Sequence, residues 1–156
     1  LRRHHELFLR KLILDLVMEC NRLTTNEILK FINKCGYDFE PEQKLFFINY
    51  LCEMLKRHRV MIVLNKEHVA ALVFFFVTNN YEKLYKKATW DLPEEDDRGS
   101  QIYIDKMIAS DWNTSMRREL KAALEAQFPV ASDVYFHREP KDRLVHVRIN
   151  EDAIQN

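Results

Sequence analysis

Glycine is almost missing from this chain, whose 156 residues include only Gly36 and Gly99. A P-loop, a GxGxxG turn and a GxSxG elbow each need glycines a few residues apart, so sites of those types are excluded. Net charge is missing too. The 24 basic and 24 acidic side chains cancel, and the halves 1–78 and 79–156 differ only as +3 against −3. Nonspecific affinity for nucleic acid comes from an excess of Lys and Arg, so nucleic acid is not the expected partner. Cysteine is scarce: Cys20, Cys35 and Cys52 fall at no CxxC spacing, which excludes a disulfide scaffold and predicts reduced, buried thiols in a cytosol-like compartment. The longest apolar run, Val69 to Val77, has nine residues where a bilayer needs about twenty, so no membrane span is expected. What is present, 47% hydrophobic and 31% charged residues, is the composition of a single domain with its own core rather than of a disordered chain.

Apolar spacing of three and four residues (Leu7, Phe8, Leu12, Leu16, Met18) predicts a first amphipathic helix over about 3–21. Thr24 or Thr25, with Glu27, offers a cap for a second helix that Gly36 stops. Pro41 suits the first turn of a third helix, from Glu42 to about His58, whose apolar residues nearly encircle it and predict burial. At Val60 the pattern changes to β-branched and aromatic runs. Val60–Leu64 and Val69–Val77, joined by 65–68, read as a hairpin at the centre of a sheet, its second strand covered on both faces. A short helix over Tyr81–Ala88 leads to an acidic connection, 91–97, with solvated-loop composition. Ile102–Ile108 then reads as a third strand and Thr114–Gln127 as a long helix stopped by Pro129. Val134–His137 and Leu144–Ile149 close the chain as two more strands.

None of the histidines His4, His5, His58, His68, His137 and His146 forms an HExxH or has cysteine partners at ligand spacing, so no metal is expected. His146, between Val145 and Val147, reads as a half-exposed sheet residue; for it and for His137 the alternative is proton transfer. Three helices followed by a hairpin is also the order of a winged-helix DNA-binding domain. Its recognition helix would offer only Gln43, Lys44 and Asn49 on an apolar cylinder, which is poor equipment for reading base edges.

From Arg59 onward the chain resembles the GNAT superfamily of acyltransferases, and more narrowly the toxin-activating lysine acyltransferases. The likeness rests on His68-Val-Ala-Ala71 in the second hairpin strand, Asp97-Arg-Gly-Ser100 before the Tyr103-Ile-Asp105 strand, and a helix ending Gln127-Phe-Pro129. It implies a thioester donor, acyl carrier protein or acyl-CoA, held between splayed strands, and an amine acceptor. It also implies Asp97 or Asp96 as the acid, and a carrier-facing segment after the third strand comprising Ser110, Trp112, Asn113, Thr114 and Ser115 with Arg117. Two departures stand beside it. No glycine follows Gly99, so the superfamily's usual phosphate loop is absent, and the histidine of the toxin-activating branch has no counterpart in Phe39–Lys44.

The expectation is therefore one α+β domain, with N-terminal helices on a mixed, mostly antiparallel GNAT-like sheet of about five strands and one long helix after the third. Its partner is a protein, either an acyl carrier or a neighbour in an assembly. The alternative function is a non-catalytic interaction module, for example in a phage particle, which would place it inside a virion rather than the cytoplasm.

Overall fold

The computed structural model describes residues 22–37, 39–65, 68–110, 112–138 and 143–151. The first predicted helix and the turn at 139–142 lie outside these residues. Helix α1 (Arg22–Lys34) is already formed at Arg22, so Thr24 and Thr25 stand within it instead of capping it. Its end is as expected. Gly36 takes a positive φ of 95°, Tyr37 N–H reaches back to the Ile32 carbonyl, and Gly36 N–H reaches Asn33, which satisfies two terminal carbonyls. Helix α2 (Pro41–Lys56) opens on proline and ends with the same bonding around His58, whose φ of 59° is unusual for a side chain with a Cβ. That tight exit turns Arg59 straight into the interior.

Strands β1 (Val60–Asn65) and β2 (His68–Thr78) form the expected hairpin. Helix α3 (Tyr81–Tyr85), β3 (Gln101–Ala109), α4 (Thr114–Gln127), β4 (Asp133–Arg138) and β5 (Arg143–Arg148) follow within one or two residues of their predicted ends, except that α3 stops three residues early. The fold is α+β, with one five-stranded mixed sheet in the order β1-β2-β3-β4-β5. Only β3 and β4 are parallel, because α4 carries the chain from the end of one to the start of the other.

The hairpin is off-centre: β1 is an edge strand and β3 occupies the middle. Alternation along β2 still divides the core as its sequence requires. Leu72, Phe74 and Phe76 pack with Ile32, Phe47 and Leu51 of α1 and α2, whereas Val73, Phe75 and Val77 pack with Leu120 and Leu124 of α4. The three phenylalanines are 0% exposed, each burial contributing roughly 1.5–3 kcal/mol. The peripheral strand that a winged helix needs is therefore not what this segment forms. Helix α2 is buried on one side only, and Leu45 and Phe46 are 69% and 62% exposed, contrary to the expectation of burial all round. An apolar stripe wider than the face that meets the sheet leaves its flank in solvent.

Two irregularities of β3 shape the functional surface. Phe74 pairs with Lys106 but Phe75 with Ile104, so Asp105 is an extra residue, a β-bulge. Moreover, β3 pairs with β4 only from Gln101 to Ile104, opposite Asp133 to Phe136. Beyond that point the two strands part.

Candidate functional site

Where β3 and β4 separate, an open cleft of about 1400 Å3 runs through the sheet from the α2 side to the α4 side. On the α4 side Thr114, Arg117, Arg118 and Lys121 line it at helical spacing, placing three cations on one face of the first two turns. The start of a 14-residue helix adds the partial positive charge of its free N–H groups. Below these cations the walls become apolar, with Leu120 and Leu124 facing Phe136, Val145 and Val147.

On the α2 side the bulge governs the chemistry. Tyr103 and Ile108 belong to the helix-side core, Ile102 and Ile104 to the α4-side core, and Met107 packs with the latter. The apolar spacing thus slips by one at Asp105, so Asp105 and Lys106 share the helix-facing side of the strand, where strict alternation would oppose them. Asp105 Oδ2 accepts the Tyr50 O–H at 2.6 Å and lies 3.0 Å from Lys87 Nζ. Lys87 completes its hydrogen bonds on the carbonyls of Ala88 and Thr89, each at 3.1 Å. The Lys87 and Asp105 side chains are only 7% and 8% exposed, so this is a buried ion pair with its donors satisfied. Burial, followed by the charge of Asp105 and the hydrogen bond to it, and then the charge of Glu95, pushes the Tyr50 phenol far above the ordinary tyrosine range. It remains a fixed donor.

The residues expected to form the site are divided by this geometry. Trp112, Thr114 and Arg117 line the cleft. Ser110 and Ser115 are exposed beside it. Asn113 serves its own helix, accepting the Met116 N–H on Oδ1 at 2.9 Å. Asp96 and Asp97 stand at the other end of β3, which separates them from Ser110 by eight strand steps, roughly 26 Å. Asp96 closes a turn, accepting Gly99 N–H at 2.8 Å on its carbonyl and Asn79 Nδ2 on its carboxylate. Gly99 is needed there because a Cβ would sit 2.3 Å from the Thr78 carbonyl oxygen. Asp97 accepts Arg59 at 2.7 Å while 84% exposed.

The acidic connection is more than a solvated loop. Glu95 points inward, 6% exposed, and accepts Arg59 Nε and the Val77 N–H at 2.7 Å each. The Arg59 guanidinium lies 5.4 Å from the centre of the Phe128 ring. His146 is exposed on β5, stacked 4.6 Å from Tyr135, with Nε2 2.6 Å from Asp133 Oδ1. Burial raises the Asp133 carboxyl, but hydrogen bonds from Ser132 and His146, with the charges of His146 and Arg148, outweigh it and hold the group below its ordinary value. His137 lines the cleft near Tyr85.

Sequence reasoning passed over Tyr50, Lys87, Trp90 and Lys106 as site residues and quoted Asp105 only as part of a short match. The signal available was the slip in apolar spacing from Ile102 and Ile104 to Met107.

No family model matches the sequence, and no curated protein does. Among solved structures, the loading GNATL domain of CurA from Lyngbya majuscula matches with a TM-score of 0.54 at 12% identity, over 76% of this chain. The match spans 63% of that chain's own length. At this identity the likeness is one of fold: the chain has a GNAT-like fold, in agreement with the broader, superfamily-level resemblance read from its sequence.

Proposed function

We propose that the cleft binds an acyl thioester, presented by acyl carrier protein or coenzyme A, and that the domain transfers the acyl group to an amine. The observation that carries this reading is the parting of β3 and β4 directly beside the cationic start of α4. An extended thioester arm fits between two strands that no longer bond each other, and its phosphates fit Arg117, Arg118 and Lys121. The β3 edge beyond Ile104 offers backbone N–H groups to the thioester carbonyl as negative charge develops on its oxygen. In this reading the acid–base role falls to Asp105, which lies in the cleft, while Asp96 and Asp97 hold the turn at the far end of β3. Tyr50 and Lys87 fix the carboxylate through Oδ2. The amine gives its proton to Asp105, its nitrogen bonds to the acyl carbon, the C–S bond breaks, and the departing sulfur takes up a proton. The described neighbour being a loading domain of a larger protein supports a protein-borne donor. The closer kinship to toxin-activating acyltransferases belongs to the same proposal and favours acyl carrier protein.

A second reading, a non-catalytic interaction module on the same fold, is favoured by one observation. The segment entering α4 has no glycine for a backbone phosphate cradle, and Asn113 is committed to its cap. Calorimetric titration separates the two. Acyl-CoA or acylated carrier protein is expected to bind, and Arg117→Glu with Arg118→Glu to weaken binding about tenfold or more, each charge-assisted phosphate contact being worth ~1.5–3 kcal/mol. Absence of binding at millimolar thioester rejects the acyltransferase reading.

A further inference from the structure

The acceptor side of the cleft carries a cation that no described carboxylate neutralises. The bulge places Asp105 and Lys106 side by side on the helix-facing surface of β3, but they are not equivalent. The charge of Asp105 is met by Lys87. Lys106, half-buried in the cleft wall, lies with Nζ 5.4 Å from the centre of the Trp90 ring and has no carboxylate within 4.0 Å among the described residues. Among the described residues the cleft lining shows the same sign: five Lys or Arg side chains against Asp91 and Asp105, in a chain whose net charge is zero. Around Lys106 the surface is aromatic. Trp90 meets Phe39 edge-on at 5.9 Å, and Phe46 lines the same end of the cleft while 62% exposed.

A bare amine, a polyamine or a basic peptide could meet Asp105 but would add its charge beside Lys106, whose own charge it leaves unpaired. A ligand that brings its own carboxylate removes the conflict. We infer that the acceptor is an amine bearing a carboxylate and a large apolar group, of the class of aromatic α-amino acids, with Lys106 holding the carboxylate and Trp90 and Phe39 the ring. Asp105 receives its ammonium on Oδ1, since both protein contacts fall on Oδ2. The inference rests on the acyltransferase reading and specifies its product as an N-acyl amino acid. One N–C bond forms, one C–S bond breaks, the ammonium proton passes by way of Asp105, and nothing is oxidised or reduced.

The test reads binding without any thioester. Phenylalanine, phenethylamine and 3-phenylpropionate are titrated into the protein while the amide of Lys106 and the indole of Trp90 are followed by NMR. Phenylalanine is expected to bind about tenfold more tightly than phenethylamine, the size of one charge-assisted contact. The ratio should fall to near one in Lys106→Met and return in Lys106→Arg, with thermal unfolding confirming that both variants fold. Equal affinity for phenylalanine and phenethylamine, a ratio that survives Lys106→Met, or no response to phenylalanine at tens of millimolar overturns the inference. An affinity for 3-phenylpropionate equal to that for phenylalanine assigns the carboxylate to another kind of ligand and overturns it as well. Thioester binding is followed separately on the amides of Trp112 to Met116. If phenylalanine binds and the thioester does not, the acyltransferase reading fails while the carboxylate site stands; the reverse pattern removes only this inference.

Discussion

One extra residue in β3 decides what the cleft is made of. Without the bulge at Asp105, Lys106 would share a face with Ile104, toward α4, and the aromatic wall at Trp90 would lose its cation. Two predictions belong to this cluster. Asp105→Asn leaves Lys87 charged and buried without its counter-ion, so chemical denaturation should show a loss of about 3–5 kcal/mol. Adding Lys87→Met should recover much of that loss; a double variant as unstable as the sum of its singles would show that the pair is not coupled. The second prediction follows from Tyr50. In the folded state its proton is held far above the ordinary range, whereas an unfolded tyrosine releases it near pH 10. Above that pH the native state binds more protons than the unfolded state, so this contribution to stability is full below about pH 10 and falls by about 1.4 kcal/mol per unit above it. Tyr50→Phe should flatten the alkaline limb by that slope. Unchanged limbs in the two proteins would contradict the assigned burial. None of this was visible from residue types alone, because Lys87 and Asp105 are 18 positions apart and meet only in the folded chain.

At the scale of elements, local signals located structure well and long-range pairing poorly. The run 69–77, the Thr114–Gln127 helix and the Gly36 stop were legible because periodicity and backbone conformation are properties of neighbouring residues. The order of strands was not. An apolar hairpin covered on both faces looks central whether or not another strand lies beyond it, and β1 proved to be an edge. The acidic connection shows the same limit: five acids in seven residues read alike, yet Glu95 is buried against Arg59 and the Val77 N–H while Asp97 meets Arg59 from the solvent side. Glu95→Ala should therefore cost about 3–5 kcal/mol in equilibrium unfolding, as breaking a buried pair does. Asp97→Asn should stay within about 1 kcal/mol, because that carboxylate is mostly in water. Equal costs for the two would mean that the connection acts only as a charged tether.

The molecule as a whole joins a GNAT-like fold to a cleft with two chemically different ends. Cations on α4 face one end, and the Asp105, Lys106 and Trp90 surface faces the other. That β3 and β4 open was implied by the sequence resemblance, but the width and lining of the opening depend on where their pairing stops, which no short motif encodes. Amide shift mapping with a non-hydrolysable acyl-thioester analogue of coenzyme A decides whether the cleft between β3 and β4 binds a thioester. Shifts are expected on both lips of the cleft, at residues 105–109, 114–121 and 134–138, with little change at 94–99. Shifts confined to the acidic turn around Asp96 and Asp97, or none at millimolar analogue, would contradict thioester binding there.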